Sequence, residues 1–274
     1  MESEETRKKL LKHVRTPPPV LSLSGSDPNG GAGIETDLKT FHQHGVYGMA
    51  IPTLLTVQNT AGVYKVKFLD PDFLEEQWNA IFADLKPRAI KMGAMGSRKM
   101  VLRIAKLLSQ KNAKGIPIVV DPVMGSTSGM PLLEPKAISI LINRIFPLCR
   151  VITPNTHEFS KLCGKEVNAD NAAELLKIFG KDKPYAILLK GGHFNGSESI
   201  DLLWHQGRIT RFKSPRLPQS AHGTGCVLAS SIAANLALGQ SIPTACRNAK
   251  GFVHEALTSA PKLGKGQRVL NLWV

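Results

Sequence analysis

The sequence predicts an α/β protein with a central, mostly parallel sheet flanked by helices. Two observations predict it. Short apolar runs of strand length alternate with longer segments of helical spacing, which is the signature of successive βαβ units around a sheet covered on both faces. Polar, glycine-rich segments fall directly after the strand runs: "SDPNGGAG", "DPVMGSTSG", "TPNTHE" and "KGGH". Ligands of open parallel sheets collect at those carboxyl ends. Turn residues occur at strand ends in any such fold, but these turns also carry Asp, Glu, Lys and His.

The elements follow in order. Residues 1–16 are polar and charged, and Pro17, Pro18 and Pro19 stiffen a short extended linker. Residues 1–19 are thus expected to form a polar extension and 20–274 a single domain, without a second linker or an internal repeat. Strand-like runs are expected at 20–25, 48–58, 88–93, 115–122, 149–155 and 185–192. Helical spacing is found at 33–45, 72–85, 98–112, 136–146, 172–179, 224–238 and 243–259. "SIDLLW" and "RITRF" flank "HQG" as a hairpin.

Composition narrows the function. The apolar share is 42% and the charged share 20% over 274 residues, ordinary for a globular chain with a sizeable core. Nothing approaches the ~18 consecutive apolar residues of a membrane span. The first residues lack the apolar core of a signal peptide, so no membrane and a cytoplasmic location are expected. Cys149, Cys163, Cys226 and Cys246 form no CxxC pair, which argues for reduced thiols over a zinc site or disulfides. The net charge of +14 is scattered without an aromatic-basic motif. It predicts a solvated surface with a few cations kept for an anionic ligand, and no nucleic-acid partner.

Standard nucleotide and hydrolase motifs are absent: no GxxxxGK[ST], GxGxxG, HExxH or GxSxG occurs. "HGTGC" (222–226) stands out. Gly223 and Gly225 permit a tight turn with exposed N–H groups, and a helix begins between about Thr224 and Val227. A helix N-terminus is a ready anion site, and a cysteine in its first turn should have a lowered pKa. Taken alone, Cys226 is equally a small core residue packed under that helix. Asp37, one turn beyond Gly33, is expected near the mouth, either bonding a ligand or paired with a neighbour such as Lys39. Asp121 and Glu158, just past two strands, suit Mg²⁺, which binds through one or two carboxylates, water and phosphate. Lys190 is a compact cation for phosphate.

"GSDPNGGAGIETDLKTF", "TVQNTAGV", "DPVMGSTSG", "TPNTHE", "LLKGGHFNG", "HGTGC" and "AKGFV" occur in this order. Over about residues 20–260 the chain closely resembles the hydroxymethylpyrimidine/phosphomethylpyrimidine kinases of thiamine biosynthesis, in the ribokinase-like superfamily. The resemblance implies a three-layer ribokinase-like sandwich, ATP and Mg²⁺ as cofactors, and a homodimer. It implies phosphorylation of 4-amino-5-hydroxymethyl-2-methylpyrimidine and then of its monophosphate. Carried over by position, Cys226 is the base, and Gly223, Thr224 and Gly225 form the anion hole. Gly25, Asp37 and Gln58 meet the pyrimidine. Asp121 and Glu158 lie by the Mg²⁺–phosphate site, and Lys190 and Lys250 on the nucleotide side.

Three positions depart from the family. Ala94 stands where a methionine is expected on the pyrimidine, leaving either compensation by Met95 or a wider pocket. Met130 replaces a polar residue, and "GKGQRVLNLWV" differs from the usual ending. A pyridoxal kinase is the nearest alternative, and a non-catalytic binding relative a remote one. The cysteine in the GTG turn, preceded by Ser220-Ala221-His222, favours the pyrimidine.

Overall fold

A computed structural model describes residues 16–192, 194 and 196–273. Of the expected polar extension, residues 1–15 lie outside the described residues. Among those described, nine strands form one sheet in the order β3-β2-β1-β4-β5-β6-β7-β8-β9. They are β1 (Pro19–Ser26), β2 (Tyr47–Asn59), β3 (Gly62–Phe68), β4 (Ala89–Met92), β5 (Ile118–Val120), β6 (Val151–Ile152), β7 (Ala186–Leu189), β8 (Glu198–His205) and β9 (Arg208–Pro215). Strands β2, β1, β4, β5, β6 and β7 run parallel, so their carboxyl ends share one edge. β3 closes one side and β8 with β9 the other, all antiparallel. β10 (Ala221–His222) and β11 (Arg268–Val269) form a separate short parallel pair.

Helices cover both faces, and period-two alternation along each strand distributes the apolar side chains between two layers. Ile118 and Val120 enter one core and Val119 the other; Ile187 and Leu189 enter the first, Ala186 and Leu188 the second. The first layer holds α2 (Pro71–Asp84), α3 (Arg98–Leu108), α4 (Thr156–Cys163) and α5 (Ala172–Gly180). Its residues include Trp78, Ile104, Phe146, Phe159 and Leu176. The second holds α1 (Gly33–Gln43), α6 (Thr224–Ala237) and α7 (Ile242–Thr258), with Phe41, Leu228, Ile232 and Ala245. The predicted three-layer sandwich is thus the observed one.

Several elements differ from the sequence reading. β3, α4, β10 and β11 are additional to it. The expected helix at 136–146 is a chain of short 3₁₀, α and π turns over 135–148. Pro147 lacks the N–H that a regular α ladder needs there. The four cysteines are free, as expected. No helix among the described residues is long and apolar enough to cross a membrane.

Candidate active site

The shared carboxyl edge of the parallel strands opens into a cleft of about 1130 Å³, lined by Gly25, Gln58, Asp121, Glu158, Lys190, Gly223–Cys226 and Lys250 among others. Its floor is the N-terminus of α6. Gly223 caps the helix in the left-handed region at φ +84°, and a Cβ there would overlap the Gly31 carbonyl oxygen. Glycine is therefore required on both conformational and steric grounds. The first helical bond runs from Val227 N to Gly223 O. The N–H groups of Thr224, Gly225 and Cys226 precede it and have no acceptor within the helix, the arrangement that binds anions.

Beside this turn lies a buried charge cluster. Lys190, just past β7, donates from Nζ to Asp121 Oδ1 at 2.6 Å and stands 3.8 Å from Glu158 Oε2. Thr153 Oγ1 donates to the same Asp121 oxygen at 3.3 Å. A Cβ on Gly225 would sit 3.1 Å from Lys190 Nζ and 3.2 Å from Asp121 Oδ2, so the missing side chain lets the helix end approach the cluster. Glu158 sits in the first turn of α4. It shares a capping box with Asn155, whose N–H donates to Glu158 Oε2 at 2.7 Å while Asn155 Oδ1 accepts from Glu158 N at 2.8 Å. Burial pushes the Glu158 carboxyl up to about 7, Lys190 opposing and Asp121 adding. Burial works against the Lys190 ammonium, but the two carboxylates more than offset it and its pKa rises.

Asp37 departs from the expectation. It does not line the cleft; it is fully buried beneath it. Ser22 Oγ donates to Oδ2 and Ser230 Oγ to Oδ1, both at 2.6 Å, and Lys91 Nζ reaches Oδ1 and Oδ2 at 2.8 and 2.7 Å. With its acceptors engaged by Ser22, Ser230 and Lys91, Asp37 faces the core and not the cleft. Lys39, the neighbour considered as its partner, donates instead to the Gly30 carbonyl at 2.8 Å.

Cys226 reverses a second expectation. Its thiol is pushed up to about 11, not down. Burial is the largest cause; Lys91 and the Gly33 N–H favour the thiolate, but Asp37 and Asp121 disfavour it. The helix end alone does not overcome desolvation here. The resting form is a neutral thiol.

Gly25 and Gln58 line the cleft, as does Ala94. Met95 is fully buried in the first core, so it does not stand in for the absent methionine, and Ala94 itself packs with Leu54 and Leu132 at the cleft wall. On the far side, Lys250 Nζ donates to Ser199 Oγ at 2.8 Å and pairs with Asp201 Oδ2 at 3.0 Å. Asp201 Oδ1 in turn accepts from Gly191 N at 2.9 Å. Sequence reasoning missed Lys91, Asp27, Thr153, Asp201 and His222. For Lys91 a signal existed: a lysine inside a four-residue buried strand requires a buried partner.

Two outcomes follow from this geometry. Iodoacetamide should modify Cys226 slowly near pH 7.5, at a rate rising ~10-fold per pH unit through pH 10, because the thiolate reacts. Peptide mass spectrometry measures it, and a plateau below pH 8 would refute the raised pKa. Lys91→Met, which strands Asp37 in the core, should lower unfolding stability by ~3–5 kcal/mol in urea titrations; a loss under 1 kcal/mol would show the pair to be solvated.

Relatives carry the same architecture. Residues 27–271 match the family described as phosphomethylpyrimidine kinase. The hydroxymethylpyrimidine/phosphomethylpyrimidine kinase of Rhizobium meliloti (strain 1021) is 39% identical over 250 residues, 90% of this chain and 93% of that protein. The crystal structure of a phosphomethylpyrimidine kinase from Clostridium difficile 630 is similar with a TM-score of 0.74 at 38% identity, covering 87% of this chain and 99% of that one. Pyridoxal kinase from Staphylococcus aureus, in complex with AMP-PCP and pyridoxal, gives a TM-score of 0.85 at 29% identity over 94% of both chains. With the match spanning nearly the whole described chain and the cleft at its strand ends, the protein belongs to the phosphomethylpyrimidine kinase family.

Proposed function

We propose that this kinase, as a single domain over 20–274, transfers the γ-phosphoryl group of ATP to the hydroxymethyl oxygen of 4-amino-5-hydroxymethyl-2-methylpyrimidine. It then transfers a second one to the monophosphate, in thiamine biosynthesis. The observation that carries this reading is the meeting of the Gly223–Cys226 turn with Asp121, Glu158 and Lys190 in one cleft. Phosphoryl transfer is served by positioning and charge stabilisation, and that is what these groups supply. The relatives named for both pyrimidine kinase activities support the same substrates.

In each step an acceptor oxygen bonds to the γ-phosphorus as the bond to the bridging oxygen breaks and ADP leaves. The N–H groups of Thr224, Gly225 and Cys226 receive the negative charge of the transferred group. Lys190 meets nucleotide phosphate from β7, and Lys250 flanks it from α7. Two buried carboxylates on hard oxygen donors, with room beside them, fit Mg²⁺. Asp121 and Glu158 would hold it, and the ion would neutralise phosphate charge. Gly25 and Gln58 frame the pyrimidine. As a homodimer partner, a second copy of the chain is part of this reading.

Cys226 differs between the two steps. The alcohol must lose a proton, which the thiolate accepts. The monophosphate, with a second pKa of about 6, already presents an ionised oxygen, and a neutral thiol repels that dianion less than a fixed carboxylate. The first step should therefore accelerate with pH toward ~10-fold per unit between about pH 7 and 9, while the second stays flat. Cys226→Ala should slow the first step ~10²–10⁴-fold and the second far less. A coupled ADP assay with each substrate measures both, and an undiminished first step in Cys226→Ala would eliminate the base role. In the same assay, Cys226→Asp should impair the second step more than the first; equal use of the monophosphate by Cys226→Asp and wild type would defeat the repulsion argument.

Pyridoxal is a second reading, favoured by the small side chain of Ala94 on the cleft wall and by the likeness to a pyridoxal kinase. Ala94→Met should narrow that wall and shift KM for ring substrates, with KM for ATP held within about twofold. Competing the two ring substrates for wild type decides which is preferred.

A further inference from the structure

Gln58 lies one residue before the end of β2 and lines the cleft, and its amide has two close polar neighbours. Nε2 lies 2.8 Å from His222 Nε2, and Oε1 lies 3.2 Å from Thr56 Oγ1. Thr56 Oγ1 is also 3.0 Å from the Ser26 carbonyl oxygen. A hydroxyl both donates and accepts, so Thr56 satisfies Gln58 in either orientation of the amide. It donates to the amide oxygen in one, and accepts from the amide nitrogen while donating to Ser26 in the other. The His222 nitrogen takes one role per state. With the proton on Nδ1, Nε2 accepts and requires the Gln58 N–H, which is the placement observed, Gln58 Nε2 facing the ring at 2.8 Å; with a proton on Nε2, in the other neutral tautomer or in the charged ring, it donates and requires the Gln58 oxygen. The choice of amide orientation falls to His222.

The surroundings hold that ring neutral and in place. Burial is the main influence and lowers the His222 pKa, with Asp27 opposing. Asp27 Oδ2 is 3.7 Å from Nε2, and its carboxylate is engaged by the N–H groups of Asn29, Gly31 and Ala32 at 2.9, 3.2 and 3.0 Å. Asp27 is the charged group that acts on the ring; the other neighbouring elements present Gln58, Gly31 and, from β11, Val269, all uncharged. The backbone is pinned by the pairing of His222 with Val269 and by Gly223 behind it.

We infer that His222, with its proton on Nδ1, is a positioning residue that fixes the Gln58 amide with one N–H toward the imidazole, and thereby sets which substrate edge the cleft accepts. The second N–H and the free side of the carbonyl oxygen then stand together toward the cleft. They complement a ring nitrogen that accepts beside an exocyclic amine that donates, the amidine edge of an aminopyrimidine. Pyridoxal has no amine next to its ring nitrogen and cannot use both. This rests on the pyrimidine-kinase reading and extends it to the residue that orients Gln58.

The test is steady-state kinetics on wild type, His222→Phe and His222→Gln with hydroxymethylpyrimidine and with pyridoxal at saturating ATP. His222→Phe keeps a ring but removes the acceptor. It should raise KM for the pyrimidine about tenfold, the size of one lost hydrogen bond, with kcat moving less and KM for pyridoxal moving under about threefold. His222→Gln returns an acceptor oxygen at the same reach and should recover KM to within about threefold of wild type. An equal rise in both KM values, or no change in their ratio, would overturn the inference while leaving the kinase intact. So would a wild type that phosphorylates pyridoxal alone. A wild type inactive on both substrates would remove the kinase reading, and the inference with it. Should His222→Phe not fold, the pyrimidine KM of wild type and His222→Gln is compared over about pH 5 to 8. Wild type should lose affinity more steeply on acidification, because only it carries the titrating imidazole; coincident curves would overturn the inference.

Discussion

A fully buried ion pair sets the geometry of the cleft. Lys91 on β4 and Asp37 on α1 are both sealed from water, where an unpaired charge would be prohibitive. Asp37 is satisfied only if Ser22 on β1, Lys91 on β4 and Ser230 on α6 are all in place. One carboxylate thus ties two central strands to two helices of the second layer. Ser230 lies one turn past Cys226 on α6, so the bond that fixes Ser230 also fixes the height of the helix N-terminus above the strand ends. Gly93, just beyond β4, serves the same constraint, because a Cβ there would collide with Ser24 Oγ and lie 2.9 Å from Lys91 Nζ.

The same pair shapes the chemistry of Cys226. Lys91 is the largest influence favouring its thiolate, and Asp37 partly cancels it. Burial then decides, and the thiol stays protonated at rest. A lone cysteine at an exposed helix end would ionise more easily, but this one is half-buried on the cleft floor, with Asp37 and Asp121 also nearby. A neutral floor suits a site that must admit an alcohol and a phosphate dianion in turn. The fixed positive elements, Lys190 and the α6 N–H groups, meet at the edge of the same cleft, on the side proposed for the nucleotide.

Much of this was legible in the chain. The strand and helix alternation located the sheet, and the polar turns after β1, β5, β6 and β7 marked the open edge. Gly223, Gly225, Cys226, Asp121, Glu158, Lys190 and Gln58 all reach the cleft. What escaped is of two kinds. Some of it was local: Asn155-Thr156-His157-Glu158 is a capping-box pattern that announces α4, and "GVYKVKF" alternates as an edge strand does. The rest depends on long-range pairing, which spacing does not encode. Asp37 has the same sequence whether it faces a ligand or Lys91, and 54 residues separate that pair. The Cys226 pKa likewise follows from burial, which no first-turn motif specifies.

The ending that departs from the family has a place in the same framework. Gly266 N donates to Thr60 Oγ1 at 3.1 Å and Gln267 N to the Thr60 carbonyl at 2.8 Å, so this segment grips the turn between β2 and β3. Directly after it, β11 pairs with Ala221 and His222. The C-terminal strand therefore links the end of β2, which carries Gln58, to the start of the turn that ends at Cys226. His222 and Cys226 are four residues apart, with the left-handed Gly223 between them. One short segment thus holds the group that orients the recognition amide at one end and the proposed base at the other. Recognition of the ring and alignment of its oxygen for transfer are mechanically a single placement, because the backbone that carries both is tied down on each side.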